Sequence, residues 1–148
     1  MRFDGKGALV TGGTQGIGEG CVRVFAAAGA KVVFCARGEA AGKKLAKELG
    51  ADFVRADVSK AAEVEAFVEG AAKRHGRIDC LINNAGWHPP HVPIDDFSLD
   101  DLRSLFELNV VSMFAACRKA LPHLRKSKGS IINLSSLVAS MGQHYATT

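Results

Sequence analysis

Glycines at 12, 16 and 18, within Thr11-Gly12-Gly13-Thr14-Gln15-Gly16-Ile17-Gly18, are the residues best suited to receive an anion. They follow the short apolar run Gly7-Ala8-Leu9-Val10. They open onto a segment where Ile17, Cys21, Val24, Phe25 and Ala28 recur at helical spacing, with Gly29 as a stop. The order is strand, glycine turn, helix. Without β-carbons at 12, 16 and 18 a diphosphate can approach the backbone. The helix N-terminus then meets it with free N–H groups and the positive end of its dipole. An ordinary strand-to-helix turn is the competing reading, and the order of elements favours anion binding.

Further polar residues stand where apolar runs end. Ala36-Arg37 closes the second run without a carboxylate. At that place in a dinucleotide fold an acidic side chain holds the ribose 2′-hydroxyl, whereas a guanidinium pairs with a 2′-phosphate. Arg37 therefore favours NADP(H), a solvated arginine being the alternative, and Glu39 is near enough to keep NAD(H) possible. Asp57 ends a third strand, where a carboxylate can equally cap a loop. Asn83, Asn84 and Gly86 end a fourth; an Asn-Asn pair can stitch loops together while lining a site, and Asn83 is expected nearer the ligand. Asn109 lies on an apolar helical stripe with Leu102, Leu105, Phe106, Val110, Met113, Phe114 and Cys117. Its amide must find partners or suffer a desolvation cost of about 1–3 kcal/mol.

Strand and helix patterns alternate along the whole chain. Strands are expected at 31–36, 52–56, 78–82 and 130–134, with helices over 39–49, from Ser59 onward, and from Ser98 onward. Ser59 can cap the first of those last two helices, and Ser98 with Asp101 resembles a capping box for the second. The pattern predicts an α/β fold: a doubly wound parallel sheet of five strands, helices on both faces, ligands beyond the strand C-termini. At 148 residues the chain suits one domain, 1–148. An apolar fraction of 47%, a net charge of +4 and no basic block argue against nucleic acid. No run is long enough for a membrane span and no signal-peptide pattern opens the chain. Cysteines 21, 35, 80 and 117 lack metal-site spacing and read as reduced, buried thiols of a cytoplasmic protein. His88 and His91, flanking two prolines, lack further ligands for a metal and read as lining a substrate mouth. Trp87, the single tryptophan, is placed to report ligand binding.

With these residues in hand, the chain resembles the short-chain dehydrogenase/reductase family from Lys6 to Gly142. The resemblance rests on TGGTQGIG, Asp57-Val58, NNAG, Leu108-Asn109-Val110 and Ile132-Asn133-Leu134-Ser135-Ser136 in that order. The loop WHPPH and the run Leu121-Pro122-His123-Leu124-Arg125-Lys126 look most like the type 14 17-beta-hydroxysteroid dehydrogenases within it. The resemblance implies a Rossmann-type sheet in the order 3-2-1-4-5. It also implies reversible hydride transfer between a nicotinamide cofactor and a carbonyl or secondary alcohol, steroid-like by the subfamily, in a homo-oligomer. It assigns Gly12, Thr14, Gln15, Gly16, Ile17, Gly18, Arg37, Asp57, Val58, Asn83, Ala85 and Gly86 to the cofactor. Ser136 would hold the substrate oxygen, Ser135 being structural, and Asn109 would position a water in a proton relay.

The family's chemistry needs a tyrosine with a lysine four residues later, whose charge lowers the phenol pKa from about 10. Here the single tyrosine is Tyr145, nine residues after Ser136, and position 149 lies past the last residue given. Tyr145 reads either as the catalytic tyrosine after a loop deletion or as a chance tyrosine. The sequence reads as C-terminally truncated relative to the family pattern. The apolar side of the 99–126 helix and one sheet edge are then expected to lack partners. The rival to an oxidoreductase is an inactive nucleotide-binding or interaction module.

Overall fold

The computed structural model describes residues 2–89 and 92–137; Tyr145 and His91 lie outside the described residues. Strands β1 (Gly7–Thr11), β2 (Lys31–Ala36), β3 (Asp52–Arg55), β4 (Cys80–Asn83) and β5 (Ser130–Asn133) form a parallel sheet. Their order is β3-β2-β1-β4-β5, as the alternation of elements predicts. Ala8 pairs with Val32 on one side and Cys80 on the other, and Ile82 pairs with Ile132. Helices α1 (Gly16–Ala27) and α2 (Glu39–Leu49) cover one face. The other carries α3 (Ala61–His75) and α5 (Ser112–Ser127), the latter preceded by α4 (Leu99–Phe106). No helix among the described residues is long and apolar enough to cross a membrane.

The period of two along β1 creates two cores. Ala8 and Val10 join Val22, Phe34, Leu45 and Ile82 beneath α1 and α2. Leu9 points the other way, to Val33, Phe67, Val68, Leu81 and Ala116 beneath α3 and α5. All of β1 is buried, which is why this central strand reads as an unbroken apolar run. Burying Phe34 and Phe67 completely contributes about 2–3 kcal/mol each in transfer free energy.

Two helical expectations change. On α1, Ile17 and Val24 are each 68% exposed, and Val22 is the residue fully buried against the sheet. The 99–126 helix is broken by a π-helical turn, Glu107–Val111, between α4 and α5. That wider turn shifts the helical phase. Ser112, Ala115, Ala116 and Ala120 pack against the core, while Phe106, Val110 and Phe114 of the expected apolar stripe are exposed. Small side chains let α5 lie close to α3, and bulky ones are turned outward. Ile131 and Ile132 of β5 are also exposed, so among the described residues this helix side and the β5 edge both present apolar surface.

Ser98 does cap α4: its hydroxyl accepts the Asp101 N–H at 3.0 Å and meets the Asp101 carboxylate at 2.6 Å. All four cysteines are free. Cys35 and Cys80 are buried, whereas Cys21 and Cys117 are only half-buried. Burial pushes the Cys35 thiol up to about 12 and the Cys80 thiol to about 11, so both stay protonated at neutral pH.

At the sheet end opposite the strand C-termini, the Asp79 carboxylate accepts the Gly7 N–H at 2.8 Å and Arg77 Nε at 2.7 Å. Arg77 first, then the Gly7 N–H, hold its carboxyl below the usual carboxylate range despite burial. A depressed native pKa makes this contribution fully present above the unfolded value of about 3.9 and lost as pH falls through the native value. Asp79→Ala should lower stability at pH 7 by about 2 kcal/mol. Urea midpoints measured from pH 7 to pH 2 should converge with wild type at the acid end.

Candidate dinucleotide cleft

β1, β4 and β5 are neighbours, so their C-terminal ends lie side by side. Four hydrogen bonds fasten the glycine turn to the segment after β4. The buried Thr11 hydroxyl accepts the N–H groups of Asn84 and Ala85, both at 3.0 Å. Asn84 Nδ2 donates to the carbonyl oxygens of Thr11 (2.9 Å) and Gly12 (3.1 Å). On the other side the Gly13 N–H donates to the Cys35 carbonyl at 3.1 Å. The Leu134 N–H donates to the Asn83 carbonyl at 2.9 Å, bringing the exposed Ser135 and Ser136 in beyond β5.

This fastening leaves no room for side chains at two glycines. Gly12 has φ +68°, and a β-carbon there would sit 2.9 Å from Ala85 Cα and Asn84 Nδ2. One at Gly18 would overlap the Gly12 carbonyl oxygen. Around Gly16 the space is open. Thr14 is half-buried; Gln15, Gly16 and Ile17 are exposed. Gln15 precedes α1 without a side-chain cap. The first-turn N–H groups of Gly16, Ile17 and Gly18 have no carbonyl within the helix to bond. Such free N–H groups at the positive end of a helix dipole are suited to an anion.

Asn83 and Asn84 turn to different partners. Asn83 is buried, and its Nδ2 donates to Asn133 Oδ1 (2.8 Å) and Cys117 Sγ (3.3 Å), stitching β4 to β5 and α5. Asn84 is the one that reaches the glycine turn. Asn109 finds partners for its amide in the Trp87 backbone: Oδ1 accepts the N–H at 2.9 Å, and Nδ2 donates to the carbonyl at 2.7 Å. Gly86 lies beside it, a β-carbon there reaching 3.3 Å from Asn109 Oδ1. The amide thus clamps the NNAG segment to the π-helical turn.

Asp57 caps its own loop. Its Oδ1 accepts the Ser59 N–H (3.1 Å) and hydroxyl (2.8 Å), and Ser59 holds the carboxyl below its ordinary pKa. Ser59 therefore does not cap α3 as expected; Lys60 precedes the helix without a side-chain cap. Val58 is buried beside it. Arg37 is exposed at the end of β2 and is an electrostatic neighbour of Asp57. An open groove of about 420 Å³ is lined by Arg37, Ser59, Trp87, Ser104, Glu107 and Leu108. Glu39, the alternative ribose ligand, is paired with Lys43 at 2.6 Å. Among the described residues no cluster of His, Cys, Asp and Glu could hold a metal.

The expected cofactor residues that are described thus lie along the C-terminal end of the sheet, with Asn109 and Ser136 at its β4–β5 side and Tyr145 outside the described residues. Sequence reasoning gave no part to Thr11, Glu63 or Glu107. For Thr11 a signal existed: a polar residue ending a fully apolar central strand must find buried partners.

The chain matches the family model described as short chain dehydrogenase over residues 6–148. It is 45% identical over 143 residues to an L-fucose dehydrogenase from Oryctolagus cuniculus, covering 96% of this chain and 50% of that protein. It is 39% identical over 138 residues to a 3-beta-hydroxysteroid dehydrogenase from Comamonas testosteroni, covering 92% and 54%. The solved structure of gox2181 superimposes with a TM-score of 0.91 at 28% identity, covering 97% of this chain and 58% of that one. The chain spans about half the length of these curated relatives. A glycine turn locked to an NNAG segment on a 3-2-1-4-5 sheet, together with these matches, makes the chain a member of the short-chain dehydrogenase family.

Proposed function

We propose that residues 1–148 form a dinucleotide-binding domain of a nicotinamide-dependent oxidoreductase acting on a carbonyl or secondary alcohol. The carrying observation is the four-bond fastening of the glycine turn to the NNAG segment, which holds an open, uncapped helix N-terminus toward an anion. The bound cofactor would supply or accept the hydride; the protein orients it and moves the proton. Gly12, Gly16 and Gly18 admit the diphosphate, with Thr14, Gln15 and Ile17 along the same turn. Ala85 and Gly86 form the opposite wall, and Asp57 and Val58 border the adenosine end.

Ser136 would donate a hydrogen bond to the substrate oxygen, and Tyr145 would exchange its proton. Asn109, whose amide holds the Trp87 backbone beside the cleft, would position a water in the proton relay. Substrates are a sugar or steroid-like alcohol: the fucose and hydroxysteroid dehydrogenase relatives support these, and the WHPPH loop supports the type 14 likeness. The setting is cytoplasmic, and the assembly a homo-oligomer.

NADP(H) is the preferred cofactor. An exposed Arg37 at the end of β2 and a Glu39 already paired with Lys43 support that choice. Arg37→Ala should weaken NADPH binding about tenfold while leaving NADH nearly unchanged, as loss of a charge-assisted contact predicts. Calorimetric titration with both cofactors tests this; equal affinities in the wild type would overturn the preference. Oxidation of L-fucose and of a hydroxysteroid by the protein isolated from its source, followed at 340 nm, tests the reaction. Saturable cofactor binding without turnover of any alcohol would favour an interaction or binding module instead.

A further inference from the structure

The turn after β3 is held by bonds that converge on Asp57, and one comes from a residue outside the cleft. Glu63, in the first turn of α3, sends its Oε2 back to the Asp57 N–H at 2.8 Å. The Lys60 N–H donates to the Asp57 carbonyl at 3.0 Å, and Ser59 occupies Oδ1 as described. Glu63 Oε1 is itself steadied by Lys60 Nζ at 3.2 Å. In the usual capping box a glutamate at this position bonds the residue just before the helix. Here it overshoots that residue by three positions to grip the turn beyond β3. The N–H and carbonyl of Asp57 and one of its carboxylate oxygens are therefore fixed before any ligand arrives. Its Oδ2 is left out of these bonds.

We propose that Glu63 is a positioning residue for the adenosine half of the cofactor, acting through Asp57. The inference rests on the dinucleotide reading of the cleft. Without Glu63 the Asp57-Val58 turn would have to be ordered on binding, and the cost would fall on ligands that carry an adenosine group. Ligands that carry only the nicotinamide end would not register it.

The test is calorimetric titration of the 148-residue chain with NADPH, ADP-ribose and reduced nicotinamide mononucleotide. Glu63→Ala should weaken NADPH and ADP-ribose about tenfold, the size of one lost charge-assisted hydrogen bond, and leave the mononucleotide unchanged. Glu63→Gln keeps an acceptor for the Asp57 N–H and should restore most of the affinity. Amide exchange of Asp57 should speed up in the alanine variant alone. Equal weakening of all three ligands would assign Glu63 a merely structural role and overturn the proposal, as would unchanged NADPH affinity in Glu63→Ala. If the wild type binds none of them, the dinucleotide reading fails, and this inference with it.

Discussion

Gly18→Ala should lose at least about tenfold in dinucleotide affinity and about 1–3 kcal/mol in stability, the usual cost of overpacking a rigid site. The added methyl would overlap the Gly12 carbonyl oxygen and Asn84 Nδ2, two members of the fastening between turn and NNAG segment. Neither can yield alone, because Asn84 Nδ2 is bonded to that same carbonyl at 3.1 Å. The turn must open, and the uncapped N–H groups at the start of α1 move with it. Gly20→Ala provides the contrast, since a β-carbon there meets nothing within 4 Å. It lies inside α1, so the substitution should stabilise the protein by about 0.5–1 kcal/mol with affinity unchanged. Chemical denaturation and calorimetric titration of the two variants side by side separate a packing effect at the cleft from a general effect of adding alanine.

Thr11→Val should cost about 2–4 kcal/mol of stability. Valine matches threonine in shape but strips the acceptor from two backbone N–H groups, those of Asn84 and Ala85. Each unsatisfied donor costs about 1–3 kcal/mol, and the side chain that replaces the hydroxyl offers nothing in return. Thr11→Ser retains the oxygen and should cost about 1 kcal/mol or less. A larger loss for valine than for serine, read from urea midpoints at constant m, identifies the hydroxyl as the cause. Dinucleotide affinity should fall with the same ranking, because the hydroxyl joins the two walls of the cleft.

The fold was readable from the chain because its elements obey local rules without conflict. β1 and β2 are continuous apolar runs between glycine or polar boundaries, and α3 presents Val64, Phe67, Val68, Ala71 and Ala72 at helical spacing, all buried. The glycine turn was readable because its type and spacing are demanded by close backbone approach. What escaped was the partnership between distant polar groups. Nothing local tells which of two adjacent asparagines turns inward; Asn83 does so because its place in β4 aims it at Asn133 and Cys117. The π-helical turn escaped for a related reason. A regular period groups Phe106, Val110 and Phe114 with Leu105 on one stripe, whereas Leu105 is buried before the wider turn and Ser112, Ala115 and Ala116 are buried after it. Glu63 escaped because a solvated glutamate in a first helical turn is ordinary, and its reach to Asp57 depends on the shape of the β3–α3 loop.

On the proposed function, the C-terminal end of this sheet binds a nicotinamide dinucleotide through the glycine turn. The most direct measurement is titration of the folded 148-residue chain with NADPH and NADH, following Trp87 emission and the emission of the reduced nicotinamide. Trp87 lies beside the groove and its backbone is clamped by Asn109, so its indole should sense an occupied cleft. Saturable binding that quenches Trp87, favours NADPH and is lost in Gly18→Ala is the predicted result. A chain that unfolds cooperatively yet shows no saturable response to either dinucleotide would contradict the account.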